Sequence, residues 1–181
     1  MKIRAAGIQD SAGIARVQVD SYRTAYADIL PQDYLARFTY EEQEQDWRNL
    51  LSSQPQDIVY VAEDAGEITG YALGRAGPSE IEPYDGELVA LHVRRSHQHR
   101  GSGRQLVAAI AEQLRQQGCS ALMLWVLAAN PARSFYERSG GQLIGERRIN
   151  LAEDVTALEV AYGWPDIQSF GASREHLHLC P

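Results

Sequence analysis

Apolar positions recur along this chain with two periods, near two in some stretches and near four in others. Switching between them sets an element order. Lys2 to Ala5 predicts a short strand. A helix follows, capped by Asp10, with Ile14, Val17 and Val19 running toward Tyr22. Pro31 interrupts it, and two short helices are expected over Asp33 to Phe38 and Glu41 to Leu51. The second of these sets Trp47, Leu50 and Leu51 against a solvated acidic face of Glu41, Glu42 and Glu44. Ile58 to Glu63 and Glu67 to Arg75 flank Asp64-Ala65-Gly66 as a hairpin.

A loop from Gly77 to Tyr84 leads into a third long strand, Asp85 to Val93. A glycine-broken turn then opens a helix with Leu106, Val107, Ile110 and Leu114 on one face, ending at Gly118. Ala121 to Leu127 is an almost unbroken apolar run, read as a strand buried on both faces. Asn130-Pro131 starts a short helix that ends at Ser139-Gly140-Gly141. Gln142 to Asn150 and Val155 to Gly163 read as a closing antiparallel pair. The order is a mixed α/β layer fold. With no repeat or composition break, one domain is expected over residues 1–168, with 169–181 as a loosely held tail.

Charge singles out the middle of the chain. Formal net charge is −7, yet no acidic residue lies between Glu87 and Glu112. That interval holds Arg94, Arg95, Arg100 and Arg104, and three of the five histidines, His92, His97 and His99. An anion on a helix N-terminus explains such an island in an acidic protein. Glycine lets the backbone come close, unbonded N–H groups point outward, and the helix dipole favours negative charge.

The overall acidity excludes general nucleic-acid binding and weakly favours cationic or amine-bearing partners. Lys2 is the only lysine, which removes Schiff-base chemistry and a Walker-type turn. Cys119 and Cys180 have no metal-ligand or disulfide-framework spacing, and His176-x-His178 lacks further ligands, so no metal is expected. No signal peptide or membrane span is read, so the expected location is cytoplasmic, with no membrane partner. The expected assembly is a monomer or a homodimer paired through the closing strands.

Taken alone, Gly101-Ser102-Gly103 names no ligand: the GxGxxG of a dinucleotide fold is incomplete, since position 106 is Leu. A second cluster adds to it. Asn130 follows directly on the buried strand, and Tyr136 sits six residues on, inside a short helix. Arg133 shares a helical face with Tyr136 and Glu137.

These two segments together resemble the GNAT superfamily of acetyl-coenzyme-A-dependent N-acetyltransferases. Gln98-His99-Arg100-Gly101-Ser102-Gly103 fits its Q/R-x-x-G-x-G/A loop, and Asn130 to Glu137 fits its N-x-x-A/R-x-x-F-Y-E segment. Gly140 to Arg147 and Glu159 to Trp164 resemble its closing strands, except that Gly141 stands where an aromatic is common. The resemblance implies a mostly antiparallel sheet, splayed at the cofactor site, with helices on both faces. It implies acetyl-CoA as co-substrate and a small-molecule amine or a protein amino group as acceptor.

It further implies that the backbone of Leu91, His92 and Val93 pairs with the pantetheine arm and supplies an oxyanion donor. Gln98 to Arg104 would hold the diphosphate, with Ser102 and Gly103 opening the helix and Arg100 and Arg104 adding charge. Asn130 would bond the pantetheine amides, and Arg133 is grouped with it. Tyr136 is the expected general acid, since an ordinary tyrosine keeps its proton to about pH 10. Glu87 is the expected base. Strand alternation places it on the same face as Val93, about 20 Å away, so it would act through water. His92 and bulk water are other possible bases. Tyr22, Tyr26 and Tyr84 are expected to line the acceptor pocket. The alternative reading is a non-catalytic sensor that binds acyl-CoA.

Overall fold

The computed structural model describes residues 1–53 and 56–170. The expectations on the tail beyond 170, on His176 and His178, and on Cys180 lie outside the described residues. Seven strands form one sheet: β1 (Lys2–Ala5), β2 (Asp57–Asp64), β3 (Glu67–Ala76), β4 (Gly86–Val93), β5 (Leu122–Leu127), β6 (Gln142–Ala152) and β7 (Val155–Trp164). Their spatial order is β1-β2-β3-β4-β5-β7-β6. Every neighbouring pair is antiparallel except β4 with β5. The helices are α1 (Ser11–Ala25), α2 (Gln32–Leu35), α3 (Tyr40–Ser53), α4 (Ser102–Gln116) and α5 (Arg133–Arg138).

Local chemistry accounts for the elements. The β2–β3 hairpin closes on Ala65 and Gly66, both with positive φ, the turn whose twist suits adjoining strands. One face of the sheet packs on α4 and α5 through Leu106, Ile110, Leu114 and Tyr136. The other packs on α1 and α3 through Ile14, Val17 and Trp47. Asp10 precedes α1 but does not cap it with its side chain. Its buried carboxylate accepts two bonds from Arg4, at 2.7 and 2.8 Å, and one from the Gly7 N–H at 2.8 Å. A partnered charge satisfied by Arg4 outcompetes a solvent-edge cap.

Two packing facts position the site. The parallel pairing of β4 and β5 is confined to Gly86 with Leu122 and Glu87 with Met123. Beyond that apex the strands part. Asp85 pins the apex: its carboxylate accepts from the Ser120 N–H at 2.9 Å, the Ser120 hydroxyl at 3.0 Å and the Ala121 N–H at 2.8 Å.

The second is a bulge. Leu73 pairs with Ala90 and Gly74 with Leu88, leaving Val89 as an extra residue in β4. Leu88, Leu91 and Val93 therefore all face α4, while Ala90 packs on the α1–α3 side and His92 stacks on Tyr71 there, at 5.3 Å. One inserted residue reverses the alternation. Glu87, next to Leu88, thus shares its face with Ala90 and His92, and the expected common face with Val93 is corrected.

Gly141 also has a local reason. A Cβ there would meet the Trp164 ring at 2.8 Å, so Trp164 occupies that space, with its indole N–H bonded to the Ser139 carbonyl at 2.9 Å. Phe170 packs on Trp164 and Phe135. No described helix is long and apolar enough to cross a membrane.

Candidate active site

Between the parted strands lies a cavity of about 510 Å³, walled by Leu88 to Val93 of β4 and Leu124 to Leu127 of β5. It runs through the sheet. Tyr22, Tyr26, Tyr34 and Trp47 line it on the α1–α3 side, and Ala132 and Tyr136 on the α5 side. Past the apex the β4 edge facing β5 has no strand partner, so its backbone groups border the cavity. The Gln98 side chain donates to the Val93 carbonyl at 3.0 Å.

At the open end of β4 the chain turns into α4. His99 has φ 60° and Gly101 φ 85°, two left-handed residues flanking Arg100. Such alternation turns successive N–H groups toward one concavity. No side chain caps α4. A Cβ on Gly103 would lie 3.8 Å from both Leu91 and Phe135, so the first turn of α4 sits directly over the cavity wall. His99, Arg100 and Arg104 are exposed there. An unpaired strand edge leading to an uncapped, arginine-flanked helix start fits an extended ligand with amide groups along its length and an anionic end.

Tyr136 is buried, and its ring packs edge-on to Phe135 at 5.2 Å and tilted to Tyr162 at 6.2 Å. No hydrogen bond to its hydroxyl occurs among the described residues. Burial, with a smaller contribution from Tyr26, pushes its pKa well above the ordinary tyrosine value. Tyr26 is pushed up to about 12, mainly by burial and then by Tyr22; Asn130 lowers it and Glu159 adds a further rise. Asn130 donates to the Tyr26 hydroxyl at 3.4 Å and accepts from the Ala132 N–H at 2.9 Å, so it both closes the turn ahead of α5 and reaches the cavity.

His92 lies against Tyr22 and Tyr71, and burial lowers its pKa to about 4, leaving it neutral near pH 7. Glu87 moves the other way: burial raises its pKa, opposed by Arg75 and Arg147.

The structure brings Leu91, His92, Val93, Gln98, Asn130, Tyr136, Tyr22 and Tyr26 to the cavity. Glu87 stands at the apex and is not among the lining residues. Tyr84 is also elsewhere: it packs with Met123 and Ala161 so tightly that a Cβ on Gly163 would fall 2.5 Å from its ring. The loop before β4 folds back over the sheet instead of reaching the cavity mouth. Arg133 turns away too. It donates to the Ala128 carbonyl at 2.9 Å and the Tyr162 hydroxyl at 3.0 Å, holding the loop that carries Asn130. Asp85 and Glu159 were missed by sequence reasoning. The only signal for Asp85 was its place at a strand start, and nothing near Glu159 in sequence marks it.

Comparison with known proteins agrees with this geometry. The model of the acetyltransferase (GNAT) family matches residues 20–141. An uncharacterized N-acetyltransferase of Bacillus subtilis, YuaI, is 39% identical over 168 residues, covering 92% of this chain and 94% of the relative. An L-methionine sulfoximine/L-methionine sulfone acetyltransferase of Pseudomonas aeruginosa is 29% identical over 149 residues, covering 80% and 81%. Among solved structures, the PaiA N-acetyltransferase of Thermoplasma acidophilum in complex with coenzyme A superposes with a TM-score of 0.65. Its sequence identity is 18%, over 88% of this chain and 96% of that one. The chain belongs to the acetyltransferase (GNAT) family and is an acyltransferase with acetyl-CoA as its co-substrate.

Proposed function

We propose that the protein transfers the acetyl group of acetyl-CoA to a primary amine by direct attack, with Tyr136 as general acid and Glu87 as base. The observation that carries this reading is the wedge between β4 and β5, with an uncapped glycine turn at its end and a buried tyrosine on its wall. Acetyl-CoA supplies the activated thioester; the chain's own residues do the rest.

The edge of Leu91, His92 and Val93 offers backbone groups to the pantetheine amides, and one of its N–H groups stabilises the oxyanion. Donors of that kind contribute about 3 kcal/mol. Amides from His99 through Gly103, with Arg100 and Arg104, hold the diphosphate. Asn130 orients the arm, and Arg133 positions the Asn130 loop through Ala128. Tyr136 keeps its proton over the whole working range because its pKa is raised, so it has one to give to the departing thiolate.

Of the two candidate bases, the opposite pKa shifts favour Glu87. A raised carboxylate is a stronger base, and His92 at about 4 is a weaker one than an ordinary imidazole. Since Glu87 stands at the apex, it takes the amine proton through water. Tyr22 and Tyr26 line the acceptor side.

The test is release of coenzyme A with a panel of peptides, polyamines, amino acids and L-methionine sulfoximine, alongside calorimetry with coenzyme A. An acetyltransferase releases the thiol with at least one acceptor class, and Glu87→Gln slows it. Binding without release across the whole panel would leave the sensor reading in its place.

A further inference from the structure

The mechanism leaves Glu159 without a role, yet it is the most enclosed charged group lining the cavity. It sits on β7 opposite Leu127 of β5. Its neighbour Val160 packs on the α4 side, so Glu159 faces the α1–α3 side, where the acceptor enters. Its side chain is 15% exposed, and it raises the pKa of Tyr26, which in turn bears on Tyr136. Glu159, Tyr26 and Tyr136 all line the same cavity.

The charge around it is unbalanced. Arg147 bonds Glu159 at 2.9 Å, but it also bonds Glu80 and lies over the Trp125 ring at 4.0 Å. One guanidinium shared by two carboxylates leaves that group net negative. Among the described residues the cavity is lined by two carboxylates, Asp46 and Glu159, and by no arginine or lysine. The remaining acceptor-side wall is largely aromatic, from Tyr22, Tyr34, Trp47 and Tyr71. Aromatic faces beside carboxylates attract cations, and among the described residues no cationic side chain lines the cavity to receive an acceptor carboxylate.

Resting on the acetyltransferase reading, we propose that Glu159 is an acceptor-binding residue and that the acceptor carries a second positive charge and no carboxylate. Glu159 holds the ammonium that is not acetylated, while the other reaches past Tyr26 toward Tyr136. Diamines and longer polyamines have this chemistry; free amino acids do not.

The test is equilibrium binding by calorimetry, with coenzyme A present, of 1,4-diaminobutane, 1-aminobutane and 4-aminobutanoate. The diamine is expected to bind about tenfold or more tightly than the monoamine, and the aminobutanoate more weakly than either. Glu159→Gln abolishes the advantage of the diamine over 1-aminobutane. Arg147→Met, which keeps a long side chain over Trp125 and frees Glu159, strengthens diamine binding. This opposite sign cannot come from general loss of structure. Equal binding of the diamine and the aminobutanoate overturns the inference, as does a diamine preference that survives Glu159→Gln or falls in Arg147→Met. Intact preference without thiol release would instead overturn the acetyltransferase mechanism and leave the binding assignment standing.

Discussion

Replacing Tyr136 by phenylalanine removes one oxygen from the centre of the proposed machinery. The oxygen has no hydrogen-bond partner among the described residues, so its loss strands no donor or acceptor. The ring keeps its contacts with Phe135 and Tyr162. Folding stability should therefore change by no more than about 0.5 kcal/mol, which for a chain of this size moves Tm by about 2 °C or less. On the proposed reading, affinity for coenzyme A rests on the β4 edge and the glycine turn, so it should stay within about twofold. The catalytic consequence is of another size. Losing a positioned general acid costs about 10² to 10⁴ in rate, or about 2.7 to 5.4 kcal/mol at 1.36 kcal/mol per decade. The pH profile carries the sign: because burial raises the Tyr136 pKa above 10, the wild type should show no alkaline loss from this group below that pH. Thiol release at saturating acceptor, measured at pH 7 and 9 beside calorimetry with coenzyme A, checks each part. A variant turning over within threefold of wild type refutes the acid role. A kcat loss matched by an equal loss of coenzyme A affinity assigns Tyr136 to binding instead.

Gly101→Ala forces an alanine to φ 85°, with no atom closer than 3.7 Å to oppose it sterically, so the cost is conformational, about 1–2 kcal/mol. Tm should fall by about 2–8 °C and coenzyme A affinity by about fivefold; an unchanged affinity would dissociate the turn from the ligand. Asp85→Ala removes the bonds that pin the wedge apex and should lower stability by about 2–3 kcal/mol in urea unfolding. A midpoint equal to wild type would show that the apex holds without it. For Asp10, the Arg4 hydrogen bonds hold its pKa below the usual carboxylate value. Its contribution is therefore fully present above the unfolded value of about 4 and is lost as pH falls through the depressed folded value. Asp10→Asn should be less stable than wild type by a constant amount from pH 5 to 8, with the gap closing in more acid solution. A gap independent of pH down to pH 2 would contradict the assignment.

The pattern of apolar positions was enough for the elements, because each rests on neighbours within a few residues. Ile14, Val17 and Val19 mark the buried face of α1, and Gly66, free to take a positive φ, marks the hairpin turn. The glycine turn and the Asn130 to Glu137 segment were legible for the same reason, since each depends on a backbone turn set inside a short run. The expected common face of Glu87 with Val93 and the expected place of Tyr84 in the pocket failed at a different level. Val89 looks like any other strand residue, and only pairing with β3 makes it the extra one that turns Glu87 to the side of His92. Tyr84 has the composition of a pocket residue, but the space beside Gly163 claims it.

What the sequence decided by itself was the set of strands and helices, their order, and the presence of a glycine turn ahead of α4. Only the tertiary structure decided which faces those elements turn to one another. It opened the wedge by ending the β4–β5 pairing after Glu87, and it brought Glu159 to the cavity that Tyr26 lines, across more than 130 positions of chain. Local periodicity records which side chains avoid water, whereas register, bulges and charge pairing depend on partners that lie far away along the chain.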